Sequence, residues 1–209
     1  NMKIVLVSNT SWYLWNFRSS LIKKLIKEGH EVHIIAPSDD YVNQLINLGV
    51  NYHKVNLTRF KKSIIWDSYF IIKMIMFNFK IKADVIHHFT IKPVIYGSIA
   101  TWFSPKMKVI NSIPGLGLSF NVIYKNMNYK VDMFEKNMAI NLNVLKCCHD
   151  FKVKKVISCL STCIFPNKTS YPINEDSLHQ GPPHESNDAY AYAKRMLEVH
   201  SKAYQTQYD

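Results

Sequence analysis

Short apolar runs alternate with amphipathic stretches along the first half of the chain. The five runs are "KIVLVS", "HEVHIIAP", "VNYHKVNL", "ADVIHHF" and "MKVINSI". Continuous apolar runs of this length are typical of strands that are buried on both faces. Because strands that alternate with helical segments indicate a parallel sheet, we expect an α/β fold. This would be a doubly wound, mostly parallel Rossmann-like sheet with helices on both faces.

The stretches between the runs carry apolar residues at helical spacing. Phe17, Leu21 and Leu25 form one such stripe, which follows a loop, "NTSWYL". Ser38 is the expected N-cap of the second helix, because its hydroxyl can accept a backbone N–H bond. Residues 64–79 are predicted to form a long third helix.

The alternation continues in the second half of the chain. Apolar residues at helical spacing predict helices over residues 131–148 and 189–205, and "KKVISCLS" between them predicts a sixth strand. A polar segment with four prolines, residues 162–187, is typical of loops that carry function. We hypothesise that the sixth strand extends one continuous sheet of order 3-2-1-4-5-6, rather than forming a separate domain.

The composition is that of a globular protein, and the charge is unevenly distributed. Of the 209 residues 47% are apolar and 20% are charged, with a net charge of +11. Residues 1–120 contain 15 Lys and Arg against 6 Asp and Glu, whereas residues 121–209 contain 11 against 9. The basic first part suits an anionic partner, such as a nucleotide diphosphate or an acidic membrane surface. No basic helix has a nucleic-acid-binding pattern, so we expect no nucleic-acid partner.

The cysteines and the start of the chain indicate a cytoplasmic protein without a metal site. The four cysteines are Cys147, Cys148, Cys159 and Cys163. They form no CxxC pair and no paired-histidine motif accompanies them, so we expect no metal. No secretory signal follows Lys3, which favours a reducing cytoplasm. Residues 64–81 are interrupted by charges and cannot comfortably span a bilayer.

The last predicted helix and the loop before it carry candidate chemistry. Tyr190 and Lys194 are four residues apart, so both project from one helix face. An ammonium near a phenol lowers the phenol's pKa from about 10, which would make Tyr190 an acid–base group. Ser161 ends the predicted strand, where its hydroxyl could bond a carbonyl, and Cys163 offers a thiol that could move a proton at carbon. Alternatively, Tyr190 and Lys194 lie on an exposed helix face without a chemical role, and Cys163 is an inert buried thiol.

Two stretches containing these residues resemble a known family. "SCLSTCIFP" and "GPPHESNDAYAYAKRM" resemble GDP-L-fucose synthases, which are extended short-chain dehydrogenases/reductases, and the resemblance covers residues 121–209. It implies an NADP-dependent epimerase-reductase that converts GDP-4-keto-6-deoxymannose to GDP-L-fucose. By this resemblance Ser161, Tyr190 and Lys194 form the reductase triad, and Tyr190 and Lys194 also bind the cofactor. Cys163 is one of two epimerase acid–base residues; the second, a histidine, has no counterpart here.

The first strand does not lead into that family's phosphate-binding turn. The turn is a G-x-x-G-x-x-G sequence, whose glycines let backbone N–H groups approach the pyrophosphate. Here "NTSWYLWNF" follows the strand, with no glycine before Gly29 and with bulky Trp12, Tyr13 and Trp15 in the turn. The sequence therefore supplies a catalytic pair but no recognisable dinucleotide cradle.

The first segment instead resembles the N-terminal domain of family 4 (GT-B) glycosyltransferases, over residues 2–120. The resemblance rests on the stretches "KIVLVSNTSWYLWNFRSSLIKKLIKEGHEVHIIAPSDDY", "DVIHHFTIKPVIYGSIA" and "VINSIPGLGLSF". It implies a half that holds the acceptor, whereas the donor-binding half is not in this sequence. "PGLG" is either that family's glycine loop or a plain turn. His87 and His88 either meet a ligand or are structural.

We therefore expect two segments, 1–120 and 121–209, which look like parts of two enzymes. Three functions stay open: an epimerase-reductase that is incomplete in this chain, a glycosyltransferase acceptor-side domain, and a non-catalytic fusion. A nucleotide-sugar is the expected substrate, and a homodimer is possible. Residues 64–79, aromatic and basic, either touch a membrane or simply pack on the sheet.

Overall fold

The computed structural model describes residues 1–57, 64–113 and 130–208. It divides the chain into two compact units, Asn1–Gly117 and Leu118–Asp209. The "PGLG" segment, residues 114–117, lies outside the described residues.

The first unit is built on a parallel sheet of five strands. They are β1 (Lys3–Val7), β2 (Glu31–Ala36), β3 (Asn51–Lys54), β4 (Val85–Phe89) and β5 (Lys108–Ser112). Their order is β3-β2-β1-β4-β5, and every described pair is parallel. The five predicted strands and the α/β fold class are thus confirmed. Because the order reverses between β1 and β4, the carboxyl ends of these two strands border the crevice where such sheets bind ligands.

Four described helices cover the two faces of this sheet. They are α1 (Ser11–Lys27), α2 (Val42–Ile46), α3 (Ile64–Ile81) and α4 (Ile91–Thr101). α1 and α2 pack through Leu14, Ile22 and Leu45 on one face of the sheet. α3 and α4 pack on the other face, through residues such as Phe70 and Ala100. The arrangement of helices on both faces agrees with the prediction.

Two helix boundaries differ from the predictions, and both differences have a local cause. α1 begins at Ser11 rather than after a loop, because the Thr10 side chain accepts the Tyr13 N–H bond at 3.1 Å and caps the helix. Ser38 is not the N-cap of α2, which spans only five residues after Tyr41. The Asp39 carboxylate accepts the Tyr41 N–H bond at 3.0 Å, which fixes a turn where the helix was expected to start.

The predicted stripe on α1 also needs correction. Phe17 is 56% exposed, whereas Leu14 and Ile22 are fully buried. Leu21 and Leu25 are only partly buried at the edge of the core. The buried face of the helix is therefore rotated away from Phe17.

The second unit contains two long helices, α5 (Lys130–Asp150) and α6 (Asp188–Tyr208), and confirms both predicted helices. They pack closely where α6 carries small residues: Ala191 and Ala193 are fully buried. The Asn141 side-chain amide of α5 donates to the Ala193 carbonyl at 2.9 Å. Three short 3-10 turns lie in the segment between the helices, at Thr162–Ile164, Glu175–Ser177 and Glu185–Asn187.

The predicted sixth strand is wrong in this structure. Residues 154–161 form neither helix nor strand, and the described sheet ends at β5. A strand exists only with a partner in a hydrogen-bonded ladder, and the described part of the chain gives these residues none. Ile157, expected to be buried in the sheet, is 76% exposed.

Candidate catalytic site

A tight turn places two of the predicted residues side by side. Ser161 has extended backbone dihedrals and directly precedes the 3-10 turn Thr162–Ile164, which contains Cys163. The Cys163 thiol donates a hydrogen bond to the Ser161 hydroxyl, with 3.1 Å between Sγ and Oγ. The turn thus brings the Cys163 thiol into contact with the Ser161 hydroxyl.

Tyr190, in the first turns of α6, joins this pair. A hydrogen bond to Ser161 affects the ionisation of its phenol, and so does the nearby Cys163. Burial raises the pKa of Tyr190 above its usual value of about 10, Cys163 raises it further, and the Ser161 hydrogen bond partly offsets both. The phenol is therefore protonated at neutral pH and can serve as a proton donor.

Lys194 lies on the same face of α6, as the spacing predicts. Its ammonium nitrogen is 5.9 Å from the centroid of the Tyr190 ring, over the ring face. The expected lowering of the phenol's pKa by this ammonium is wrong in this structure, since the pKa of Tyr190 is raised. Burial of the phenol dominates, and the cation contacts the ring rather than pairing with its oxygen.

Arg195, which the sequence analysis missed, holds the turn against α6. Its side chain is buried at 4% exposure. Nε donates to the Ile164 carbonyl at 2.5 Å and Nη1 donates to the Gly181 carbonyl at 2.8 Å. Two loop segments are thereby fixed to the helix that carries Tyr190. Helical spacing could have indicated that Arg195 faces inward, because it follows Ala191 by four residues and therefore lies on the same face of α6.

The turn after β1 does not fit a dinucleotide. The N–H groups at the start of α1 already have partners, because Asp39 accepts the Trp12 N–H bond at 2.9 Å and Thr10 accepts that of Tyr13. A pyrophosphate needs such N–H groups and would meet the negative charge of Asp39. No glycine stands in this turn to permit close approach. The absence of a cradle inferred from the sequence thus has a structural basis.

His88 at the end of β4 is structural. It is fully buried, and its Nδ1 donates to the Asn111 side-chain oxygen at 2.8 Å. The ring packs so closely on α4 that a Cβ at Gly97 would lie 2.4 Å from its Nε2. Burial lowers the pKa of His88 to about 4, so the ring is neutral at physiological pH.

His87, by contrast, belongs to a polar and aromatic cluster at the carboxyl edge of β4. Its Nε2 is 2.7 Å from the Ser112 hydroxyl. Burial, with a contribution from the Arg18 charge, lowers the pKa of His87 to about 4. Arg18 itself donates to the Tyr13 hydroxyl at 2.8 Å and lies 4.9 Å from the centroid of the Phe89 ring. This cluster borders the crevice at the reversal of strand order, where a ligand of the first unit would bind.

Both segments match known protein families. The model of the family described as "NAD dependent epimerase/dehydratase family" matches residues 121–209. The model described as "Glycosyl transferase 4-like" matches residues 3–147. Residues 121–147 are therefore matched by both.

Curated GDP-L-fucose synthases match part of the chain. Over 86 residues the chain is 58% identical to "GDP-L-fucose synthase" of Dictyostelium discoideum and 52% identical to "Probable GDP-L-fucose synthase" of Drosophila melanogaster. Each match covers 41% of this chain and 27% of the relative. The chain thus spans about a quarter of the length of these relatives.

Solved structures of both kinds are similar to the chain. A GDP-L-fucose synthetase from Naegleria fowleri bound to NADP is 29% identical, with a TM-score of 0.43, and covers 98% of this chain and 45% of that one. A glycosyltransferase from Rickettsia africae is 18% identical, with a TM-score of 0.45, and covers 59% of this chain and 34% of that one.

Both resemblances expected from the sequence are confirmed by the family matches. Residues 121–209 resemble the epimerase/dehydratases and, at high identity, the GDP-L-fucose synthases. The glycosyl transferase 4-like model matches residues 3–147, which is more than half of this chain. The chain therefore belongs to the glycosyl transferase 4-like family.

Proposed function

We propose that residues 121–209 carry the proton-transfer residues of a nucleotide-sugar epimerase-reductase related to GDP-L-fucose synthase. The observation that carries the proposal is the cluster of Ser161, Cys163 and Tyr190, with Lys194 against the tyrosine ring. The 58% identity to the Dictyostelium enzyme over this segment supports GDP-4-keto-6-deoxymannose as the substrate and GDP-L-fucose as the product. NADPH is the reductant that the resemblance implies. Because the turn after β1 does not fit its pyrophosphate, we assign no hydride transfer to this chain.

The proposed chemistry acts on the sugar's carbonyl group and the carbons beside it. The Ser161 hydroxyl donates a hydrogen bond to the carbonyl oxygen and polarises it. Tyr190, kept protonated by its raised pKa, donates a second hydrogen bond to the same oxygen. Lys194 contributes positive charge on the side of the tyrosine ring.

Cys163 acts at carbon. The thiol first gives its proton to solvent, and the resulting thiolate then removes the proton from a carbon beside the carbonyl. The electron pair of that C–H bond moves to the carbonyl oxygen, giving an enolate. Ser161 and Tyr190 stabilise the charge on that oxygen by their hydrogen bonds. Inversion needs a second acid on the opposite face of the sugar, and none of the four site residues supplies it.

Solvent exchange tests this assignment directly. The chain is incubated with GDP-4-keto-6-deoxymannose in D₂O without NADPH, and deuterium at the carbons beside the carbonyl is measured by mass spectrometry. We expect incorporation that is lost in Cys163→Ser and retained in Cys159→Ser, the matched control at an exposed cysteine. Lack of incorporation by the wild-type chain, or equal loss in both variants, would remove the proposal.

The glycosyl transferase 4-like match favours a second candidate, the acceptor-side half of a sugar transferase. The cluster of His87, Arg18 and Tyr13 at the edge of β4 would then contact the acceptor. Sugar transfer from a nucleotide-sugar without any reductant, lost in Arg18→Ala, would support this candidate. A chain that performs neither reaction would be a non-catalytic fusion of two enzyme fragments.

A further inference from the structure

Helix α3 is apolar on two opposite faces. Its inner face packs on the sheet through Phe70 and Met74, both fully buried. Its outer face carries a second apolar stripe, spaced by four and three residues: Ile65, Tyr69, Ile72, Met76 and Phe79. Their exposed fractions are 80, 38, 57, 56 and 59%. Since a helix that is apolar all round is normally covered on all sides, the outer stripe indicates a binding surface.

Helix α4 widens this surface. It packs beside α3 on the same face of the sheet, and Tyr96 of α4 donates to Asp67 of α3 at 2.8 Å. The exposed large apolar residues of α4 and of the turn that follows it are Ile91, Ile95, Ile99, Trp102 and Phe103. We call the exposed apolar residues of α3 and α4, with this turn, the outer face. The outer face thus gathers exposed apolar side chains on two neighbouring helices, whereas an ordinary surface exposes them singly.

The charges of the outer face are positive. Asp67, the acidic residue of α3, is turned inward, where it accepts hydrogen bonds from Lys92 and Tyr96 at 2.8 Å each. Lys73 and Lys80 follow the stripe residues Tyr69 and Met76 by four positions, so they border the stripe. The Lys73 ammonium lies 5.6 Å from the centroid of the Tyr69 ring. Within the described residues of α3 and α4, Asp67 is the one carboxylate, so the exposed charges of the two helices are those of lysines.

The aromatic residues of this face are of the kind that membrane interfaces select. Trp66 is 48% exposed, contacts Tyr69 edge to face at 6.1 Å, and lies at the start of α3. Trp102, at the end of α4, is 81% exposed. Trp and Tyr are enriched at the level of lipid headgroups, because their rings are apolar and their tips are polar.

We propose that the outer face docks on the surface of an anionic lipid bilayer. The described helices include none long and apolar enough to cross a membrane, so α3 and α4 lie in the interface with their apolar stripes in the acyl boundary and their lysines among the headgroups. Pairing with a second copy through this face would bring two surfaces of the same positive charge together, which electrostatic repulsion opposes. The complementarity of charge thus selects an anionic lipid surface over a copy of the chain.

Vesicle flotation of the whole chain tests the proposal. We expect the chain to float with phosphatidylcholine vesicles that contain phosphatidylglycerol, and to float less with phosphatidylcholine alone or at high salt. Ile72→Glu is expected to lower the partition coefficient by about tenfold or more. It removes an exposed aliphatic side chain that the lipid would bury, and it adds a negative charge that anionic headgroups repel. Phe151→Glu is the matched control, since Phe151 is 79% exposed in the other unit, and it should float as the wild type does.

Tryptophan quenching locates the contact without relying on affinity. Lipids brominated in their acyl chains should quench Trp66 and Trp102, and the double variant Trp66→Phe/Trp102→Phe should lose this quenching while Trp12 and Trp15 still fluoresce. The proposal is overturned by the absence of flotation with any vesicle, or by equal flotation of wild type and Ile72→Glu. Self-association of the wild type that Ile72→Glu abolishes would assign the face to a second copy and overturn it as well.

Discussion

At the scale of single residues, the spacing of Tyr190 and Lys194 predicted their common face but not the ionisation of the phenol. The four-residue interval alone places the ammonium over the ring. The direction of the pKa shift depends instead on burial and on Cys163, and both arise only when the loop folds against the helix. The spacing therefore predicted the shared helix face of Tyr190 and Lys194, whereas the direction of the pKa shift needed the structure.

The hydrogen bond between Ser161 and Tyr190 can be tested with the variant Ser161→Ala. The Ser161 hydrogen bond lowers the pKa of Tyr190, so removing it should raise that pKa further above its wild-type value. The measurement is NMR titration of the chain with labelled tyrosines, in which Tyr190→Phe identifies the Tyr190 signal. Ser158→Ala, at another serine of the same loop, is the control and should leave the signal unchanged. A downward shift in Ser161→Ala would contradict the proposed hydrogen bond.

At the scale of elements, strands with neighbours were predictable and the isolated one was not. Runs such as "KIVLVS" and "HEVHIIAP" specify buried strands, and the parallel sheet realises them as β1 and β2. "KKVISCLS" has the same pattern, but apolar residues alone do not make a strand without a ladder partner. The start of α1 was missed for a different reason: Thr10 supplies a cap, and a cap outweighs the modest helix propensity of the aromatic residues that follow.

The contact between α6 and the 3-10 turn Thr162–Ile164 yields a second prediction. Arg195→Met should leave the Ile164 and Gly181 carbonyls without their donors, and each lost charge-assisted bond costs roughly 1.5–3 kcal/mol. The turn should then open more often. Alkylation of Cys163, followed by peptide mass spectrometry, should accelerate by at least about tenfold relative to that of Cys159 in the same molecule.

Two further variants distinguish positioning of the turn from general loss of structure. Arg195→Lys keeps one donor and should restore part of the protection of Cys163. Lys202→Met changes an exposed cation on the same helix and should leave the alkylation ratio as in the wild type. Equal acceleration at Cys163 and Cys159 in Arg195→Met would show that the whole unit loosens, contrary to the proposed role.

At the scale of the whole molecule, the chain combines a candidate catalytic cluster with a first unit that matches a different family. The sequence revealed this mismatch, because the glycine turn is absent and the two halves resemble different families. It did not reveal Asp39, whose carboxylate comes from beyond β2 and meets the start of α1 only in the folded sheet. A contact between residues 27 positions apart has no local signal along the chain.

The occupied turn leads to a prediction about the cofactor. Because Asp39 and Thr10 already hold the N–H groups at the start of α1, we expect the purified chain to show no saturable binding of NADPH, even at millimolar concentration. The measurement is a titration that follows the cofactor's fluorescence, with Lys194→Ala as the companion variant. Saturable binding that Lys194→Ala weakens would contradict this expectation and would place a dinucleotide beside Tyr190. The absence of binding, together with deuterium exchange that depends on Cys163, would mean that proton chemistry persists in this chain without reduction.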